Sequence, residues 1–416
     1  MSINVNTTFI SELEKSPQFK QLCHELKLPK LSKSSNKMLK VWYLKIKESF
    51  EKYKVNQNSI LNTLIEEATL NKVSEFTLIP KTLKDVIDRV CVNNYSFSIK
   101  ISSYNSDHER VFKVYICAPL HYTRTKIENM INLISTWYFF VNDFVDNECS
   151  NTVNIYLYLI PNKKSLPENN VIIDREHVNT AFTTTCAVKT NVHIFREEEW
   201  FRALIHESFH NLGLDFIRMG DSKIKLQEGR INKAFHTNIL DIRLYETYCE
   251  MWAEVLNLLF YVYINRPSEN YRWKVEFFRL LKYEQAFTIL QCVKILQHNG
   301  MSYDTMDDSG HLYKENTNTF SYYILKCILS VHLDQFLDFC SNQYDENEYS
   351  LQFRKNVHNL NKYTSMIIRN RKSNRMKATT KVMEHANLTD LGVKKTLRMS
   401  LFEIDILSKI EDNEWK

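Results

Sequence analysis

Glycine is scarce in this chain: six of the 416 residues are glycine, and none occurs before position 213. Average usage near 7% would give roughly 29 glycines at this length. Loops that cradle phosphate groups need clustered glycines, because their backbone adopts positive φ and approaches the ligand closely. The sequence contains neither a GxGxxG nor a GxxxxGK pattern, which excludes ordinary dinucleotide-binding and P-loop chemistry.

The remaining composition is that of a globular protein. Hydrophobic residues make up 44% of the chain and charged residues 25%, both close to the globular norm. The 22 tyrosines and 24 phenylalanines can supply a sizeable core. The net charge of +5 is too small for this length to indicate a nucleic-acid binder by itself.

The cysteines and the apolar stretches indicate the cellular compartment of the protein. Nine cysteines are scattered singly, and no CxxC pair occurs. An odd count with wide spacing predicts buried free thiols in a reducing compartment. The N-terminal residues lack the pattern of a signal peptide, and the longest apolar stretches fall short of the ~20 residues that a spanning helix needs. We therefore expect an intracellular protein with no signal peptide and no membrane-spanning segment.

Hydrophobic periodicity divides the chain into four regions. Residues 1–90 have the apolar spacing of helices, whereas residues 91–196 alternate as strands do, around one helix. Residues 197–345 are predicted to be mostly helical, and residues 346–416 to form a helical, basic C-terminal appendage. The predicted fold class is α+β, with a small mixed sheet and a large helical C-terminal half.

One motif carries recognisable chemistry, the HExxH sequence from His206 to His210. It falls within a helix predicted at residues 197–213. Residues four apart lie on one helix face about 5–6 Å from each other, so both imidazoles can reach one zinc ion. Glu207 directly follows the first histidine, where it can deprotonate a water bound to that ion. The motif predicts Zn²⁺ as cofactor, two histidine ligands and Glu207 as general base.

A catalytic zinc normally has three protein ligands, and the residues after the motif do not supply the third. Gly213 matches the HExxHxxGxxH/D pattern of the metzincins, but Phe216 stands at the ligand position of that family. Asp215 falls one residue early. A metzincin site is therefore not expected, and Gly213 is predicted to end the helix.

A helix predicted at residues 240–265 offers better candidates for the third ligand. Glu246, Glu250 and Glu254 are spaced four apart and form one stripe of its surface. Adjacent carboxylates repel one another and are costly to bury, and a bound cation offsets that cost. A solvated acidic face is the alternative interpretation.

The sequence Glu250-x-x-Ala253-Glu254 resembles the third-ligand helix of gluzincin metallopeptidases. The resemblance implies that Glu250 is the third zinc ligand and that Glu254 orients one of the two histidines. In the alternative register, Glu246 is the ligand and Glu250 the orienting residue. The resemblance also implies a zincin-like fold, with the sheet packed on the HExxH helix, and hydrolysis of peptide bonds.

The runs 192–216 and 245–253 are similar to uncharacterised metallopeptidase-like proteins of large DNA viruses. The similarity extends at motif level over about residues 178–330. It implies a viral zinc metallopeptidase that acts on a peptide or protein substrate, in the host cytoplasm or the virion.

Two further parts of such a site have candidates. A strand predicted within residues 178–185 precedes the motif and could bind an extended peptide by strand addition. An oxyanion stabiliser must face the open zinc position. The candidates are Tyr248, His236, Tyr322 and Tyr323, and each has an ordinary core or surface role as its alternative.

Residues 369–381 include six basic side chains and no acidic one. Arg369, Arg371, Lys372 and Arg375 are the candidates for a nucleic-acid contact, and a solvated, flexible connector is the alternative. Two other functions stay open: a non-catalytic structural or virion protein that retains a zincin scaffold, and a protein with a nucleic-acid-binding C-terminal region. Glu207 argues against the first, because a structural zinc site has no use for a base there.

Overall fold

The structure is a computed structural model that describes residues 5–68, 74–102, 109–268, 271–344 and 348–404. Within these ranges the chain is α+β, as predicted, with one six-stranded mixed sheet and many helices. A turn predicted at residues 105–107 lies outside the described residues. A helix predicted at 390–411 is present only at Leu391–Lys395 and is wrong for residues 396–404, which form no helix; its end lies outside the described residues.

Helices begin the chain, as the apolar spacing predicts. They are α1 (Val5–Leu13), α2 (Pro17–Glu25) and α3 (Lys33–Leu61). The hydroxyls of Ser16 and Ser32 accept hydrogen bonds from backbone N–H groups in the first turns of α2 and α3. These caps explain where both helices start, and the proline of α2 lies at its first position, where no N–H donor is required.

The later helices surround the sheet and fill the C-terminal half. They are α4 (Lys81–Val90), α5 (Arg124–Val141), α6 (Arg175–Val178), α7 (Trp200–Asn211), α8 (Asp221–Phe235), α9 (Leu244–Ile264), α10 (Trp273–His298), α11 (Met306–Ser309), α12 (Lys326–Val331), α13 (Leu333–Ser341), α14 (Val357–Asn370), α15 (Asn374–Glu384) and α16 (Leu391–Lys395). A π-helical segment, Phe320–Leu325, leads into α12. The three glycines within residues 213–229 predict a loose connector after the HExxH motif; this prediction is wrong for Gly229, which lies inside α8.

The sheet has six strands in the order β1-β2-β3-β4-β6-β5. They are β1 (Ile65–Glu66), β2 (Asn93–Ser102), β3 (Glu109–Ala118), β4 (Thr152–Tyr158), β5 (Ala181–Thr183) and β6 (Lys189–Ile194). β3, β4 and β6 run parallel, and β5 runs antiparallel to β6 at one edge. β4 is central and buried on both faces, which explains its nearly continuous apolar sequence.

One hydrophobic core contains side chains from all four predicted regions. Leu13 of α1, Ile155 of β4, Trp252 of α9 and Ile404 near the end of the described chain belong to the same buried cluster. Within it, α7 packs against β5 and β6 on one side and against α9 on the other. The HExxH motif therefore lies between the sheet and the helix that carries the three glutamates.

The expectation of free thiols is wrong for one pair of cysteines. Cys149 and Cys186 form a disulfide that joins the segment before β4 to the β5–β6 connection. The other cysteines are free, as expected. None of the described helices is long and apolar enough to cross a membrane.

Removal of this disulfide should destabilise the fold. The bond joins residues 37 positions apart and so limits the conformational entropy of the unfolded chain. We expect the double variant Cys149→Ser/Cys186→Ser to lose roughly 2–4 kcal/mol of unfolding free energy, measured by chemical denaturation. A reducing agent should lower the wild-type midpoint and leave that of the double variant unchanged; an equal response of both proteins would contradict the disulfide.

Candidate metal centre

α7 carries the HExxH motif and ends directly after it. Gly213 has a φ of +68°, and the N–H groups of Gly213 and Leu214 donate to the carbonyls of His210 and Phe209. This pair of bonds is a Schellman motif. A Cβ at position 213 would lie 2.8 Å from Sγ of Cys149. Glycine is required there for both conformation and space, and the prediction that it ends the helix is confirmed.

Three donor atoms converge between α7 and α9. The Nε2 atoms of His206 and His210 lie 3.1 Å apart, and Oε2 of Glu246 lies 3.0 Å from the first and 3.1 Å from the second. All three residues are buried. Nitrogen and oxygen ligands held about 2.0–2.1 Å from a zinc-sized ion lie about 3.3 Å apart around a tetrahedron. The observed spacing therefore suits one metal ion, and these residues could hold it.

The second nitrogen of each histidine faces another carboxylate. Nδ1 of His210 lies 2.5 Å from Oδ2 of Asp215. Nδ1 of His206 lies 3.0 Å from Oε1 of Glu250, a close contact that is too bent for a good hydrogen bond. A carboxylate only accepts, so Asp215 and Glu250 favour the tautomer with the proton on Nδ1 and the lone pair on Nε2. In that tautomer the two Nε2 atoms and the Glu246 oxygen present lone pairs to one another, an arrangement that a bound cation would stabilise.

Carboxylates control the charge of this centre. Burial alone would lower the pKa of His206, but Glu250 and Glu246 outweigh it and raise this pKa to about 9. The pKa of His210 is also raised against the effect of burial. Burial opposes ionisation of Glu246, yet both histidines hold its pKa well below the usual range. The centre thus attracts positive charge, as protons on the imidazoles or as a metal ion.

Glu207 lies beside the three donors and lines the cleft that opens onto them. Its side chain is 7% exposed, and no hydrogen bond from a described residue engages its carboxylate. Burial raises the pKa of Glu207 to about 7, although both neighbouring histidines lower it. A carboxyl group that titrates near neutrality is suited to accept a proton and return it.

The cleft has a volume of about 670 Å³, and the edge strand β5 lines it. The backbones of Thr180 and Thr184 bond to the β6 chain. In an antiparallel ladder every second residue bonds to the same neighbour, so Ala181 and Thr183 direct their N–H and C=O groups away from β6. The strand predicted within residues 178–185 is therefore an edge strand beside the three donor atoms, and no described residue bonds to these outward backbone groups.

Only Tyr322, among the four oxyanion candidates, lines the cleft. Its ring centroid lies 6.4 Å from that of His206. Tyr248 and Tyr323 are buried and donate hydrogen bonds to backbone carbonyls elsewhere in the core. His236 is an exposed residue that ends α8 with a φ of +54°. Local spacing could not distinguish these residues, because the packing of the π-helical segment brings Tyr322 to the cleft.

The structure brings Glu246, rather than Glu250, to both histidines. Glu250 lies one turn further along α9, behind His206, where it forms a salt bridge with Arg202. The geometry thus corresponds to the alternative register, in which Glu250 orients His206. The four-residue spacing is the same in both registers, so only the axial position of α9 relative to α7 distinguishes them.

The orienting role predicted for Glu254 is wrong. Glu254 lies eight positions after Glu246, about 12 Å along the helix axis, and is too far away to reach the histidines. Its carboxylate instead forms a buried salt bridge with Lys326 at 2.6 Å. It also accepts hydrogen bonds from the hydroxyls of Ser330 and Thr288.

Sequence reasoning missed three residues of the centre. Asp215 lacks the metzincin spacing, and only the turn at Gly213 brings it back to His210. Tyr245 lies with its ring centroid 5.8 Å from that of His210. The spacing of Arg202 could have identified it, because it lies four residues before His206 and continues the stripe of the two histidines on α7. In the structure it faces the acidic stripe of α9.

The four basic candidates for a nucleic-acid contact have partners within the chain. Arg371 and Lys372 both pair with Asp307. Arg369 donates to Gln335, and Arg375 donates to a backbone carbonyl before α3. The segment packs into the core through α14 and α15 and is not a flexible connector. Nucleic-acid binding stays a prediction.

Comparison with known proteins found no protein-family model, no curated protein and no solved structure that matches this chain.

The glycine that ends α7 should tolerate no side chain. Gly213→Ala adds a Cβ at positive φ, against Cys149, and we expect a loss of at least about 1 kcal/mol of unfolding free energy. Gly229→Ala is the matched control, because its Cβ meets no atom within 4 Å and the site is helical. That control should gain about 0.5–1 kcal/mol. Chemical denaturation compares the two; equal effects would contradict the role assigned to Gly213.

Proposed function

We propose that this protein is a zinc-dependent, zincin-like peptidase that hydrolyses peptide bonds in the cleft between β5 and α7. One observation carries the proposal: two imidazole nitrogens and one carboxylate oxygen converge within 3.1 Å of one another. Glu207 lies beside them in an open cleft. Three protein ligands with an adjacent carboxylate base are typical of catalytic zinc sites in hydrolases.

The donor set fits zinc. His206, His210 and Glu246 would hold the ion, because imidazole and carboxylate are its usual ligands in catalytic sites. Asp215 would fix the ring of His210 through its hydrogen bond to Nδ1, and Glu250 would hold the ring of His206 through its close charged contact with Nδ1. The ligand role thus goes to Glu246, and Glu250 keeps the orienting role.

Glu207 and Tyr322 each have a task in hydrolysis at the cleft. Zinc, when bound, supplies a Lewis acid that polarises a carbonyl group and makes water more acidic. Glu207 accepts the proton of the attacking water at a carboxylate oxygen and delivers it to the departing amine. Tyr322 donates its hydroxyl hydrogen to the substrate oxygen as negative charge develops there.

The edge strand supplies a way to hold an extended peptide. Ala181 and Thr183 direct backbone N–H and C=O groups away from β6, and β5 lines the cleft. A substrate strand that pairs with these groups gains main-chain hydrogen bonds without any requirement on its sequence. We therefore assign a peptide or an unfolded protein segment as the substrate class.

The open cleft favours an enzyme over a structural zinc protein. A structural site is normally closed by four protein ligands. Two donor groups occur in the described part of the chain, and the one formed by His206, His210 and Glu246 has three members, all of which line the cleft. The remaining coordination position would therefore face the substrate side, next to Glu207.

Metal content and activity test the proposal together. Wild-type protein should bind about one zinc per chain, measured by atomic absorption after dialysis, and His206→Ala/His210→Ala should bind none. Glu207→Gln should retain zinc, and its kcat should fall about 10²–10⁴-fold. Mass spectrometry of a mixed peptide library measures this hydrolysis. Wild-type protein without stoichiometric zinc, or a fully active Glu207→Gln variant, would refute it.

The two glutamates next to His206 should differ in their effect on zinc affinity. Glu250→Gln alters an orienting residue, so we expect the zinc Kd to rise about 10–100-fold. Glu246→Gln removes a charged ligand and should raise the Kd further. Competition with a chromophoric chelator measures both values. The reverse order would return the ligand role to Glu250.

A further inference from the structure

Residues 396–404, here termed the C-terminal strap, pass through the interior behind the metal centre. Apart from one bridge between Thr396 and Ser165, the strap forms no helix or strand. Every residue of the strap except Glu403 is buried, and none of them lines the cleft. Buried backbone outside regular secondary structure needs hydrogen-bond partners from elsewhere.

Buried side chains supply partners along the strap. The carbonyls of residues 397, 398, 399 and 402 accept from Tyr323, Gln291, Lys326 and Asn257, at 2.6, 2.6, 2.7 and 2.8 Å. The N–H of Leu401 donates to the carboxylate of Glu284, with the nearer oxygen at 3.0 Å. These groups come from α9, α10 and the π-helical segment with α12, so the strap is bound as a peptide would be in a polar groove.

Glu199, directly before α7, ties the strap to the HExxH helix. Its carboxylate accepts from the N–H groups of Met399 and Ser400 at 3.0 and 2.7 Å and pairs with Lys164 at 2.7 Å. Its own N–H donates to the carboxylate of Glu403 at 2.7 Å. The N-terminal end of α7 is therefore fixed to the strap by bonds in both directions.

Arg202 extends this connection to a histidine of the centre. It lies in the first turn of α7, with Nη1 3.7 Å from Sδ of Met399, and it forms a salt bridge with Glu250. Glu250 lies 3.0 Å from Nδ1 of His206. All of these residues are buried, where electrostatic interactions are strong and the loss of one partner affects the next.

We propose that the strap is a positioning element of the metal centre: through Glu199 and Arg202 it fixes the start of α7 and the Glu250 carboxylate that orients His206. The inference rests on the proposed zinc site and adds that a distant C-terminal segment sets its metal affinity. Glu199 and Arg202 act as positioning residues, since neither lines the cleft.

Variants of two glutamates that bind the same strap distinguish a positioning role from a general effect on stability. Glu199→Gln weakens the attachment that leads to α7, and Glu284→Gln weakens the attachment at Leu401, which leads to α10. We expect the first variant to raise the zinc Kd about 10-fold or more and the second to change it less than about twofold. Chelator competition gives the Kd, and the absorption spectrum of the cobalt-substituted protein reports the ligand geometry, which should change only in Glu199→Gln.

Unfolding midpoints show whether each variant folds, and a second variant completes the test. Arg202→Lys keeps the positive charge but loses the planar guanidinium that contacts both Met399 and Glu250, so it should also raise the Kd several-fold. It replaces Glu199→Gln if that variant fails to fold. Equal effects of the Glu199 and Glu284 variants on the zinc Kd would overturn the inference, and so would a wild-type Kd in both Glu199→Gln and Arg202→Lys. In either case, zinc binding by the wild-type protein would still uphold the proposed function. Wild-type protein that binds no zinc would overturn both.

Discussion

Opposite charges buried between α7 and α9 are the interaction on which the rest of the structure depends. The α7 stripe is Arg202, His206 and His210, and the α9 stripe is Glu246, Glu250 and Glu254. Burying ions costs several kcal/mol each unless geometry and hydrogen bonds compensate, and removing one partner leaves a buried charge unpaired. The two helices therefore meet in a register that pairs positive with negative groups along their contact. That register brings three donor atoms to one point.

The surroundings of the two stripes satisfy the charges that α7 and α9 do not pair themselves. Lys326 neutralises Glu254 at one end, and Asp215 meets His210 at the other. Glu199, before α7, is paired with Lys164 and accepts two N–H groups of the C-terminal strap. A buried polar network of this kind is stabilising only when nearly every member has a partner, which explains why segments distant in sequence contribute to one centre.

Much of the fold and the core of the site could be predicted from local patterns. The α+β class, the helix that carries HExxH, its end at Gly213 and the strand within residues 178–185 all follow from periodicity, turn chemistry and motif spacing. The glutamate that meets both histidines could not be assigned in the same way. A stripe of glutamates four residues apart defines a helix face, but not how far α9 lies along α7, and a shift of one turn exchanges the positions of Glu246 and Glu250.

The sequence by itself determined that two histidines share one face of α7 and that a glutamate directly follows the first of them. It also determined that three glutamates form an acidic stripe on α9. The tertiary structure alone decided which glutamate meets the histidines, that Asp215 returns to His210, that Cys149 pairs with Cys186 and that the strap passes behind the centre. The reason is physical: local spacing depends on backbone geometry over a few residues, whereas these contacts join segments that only packing of the whole chain brings together.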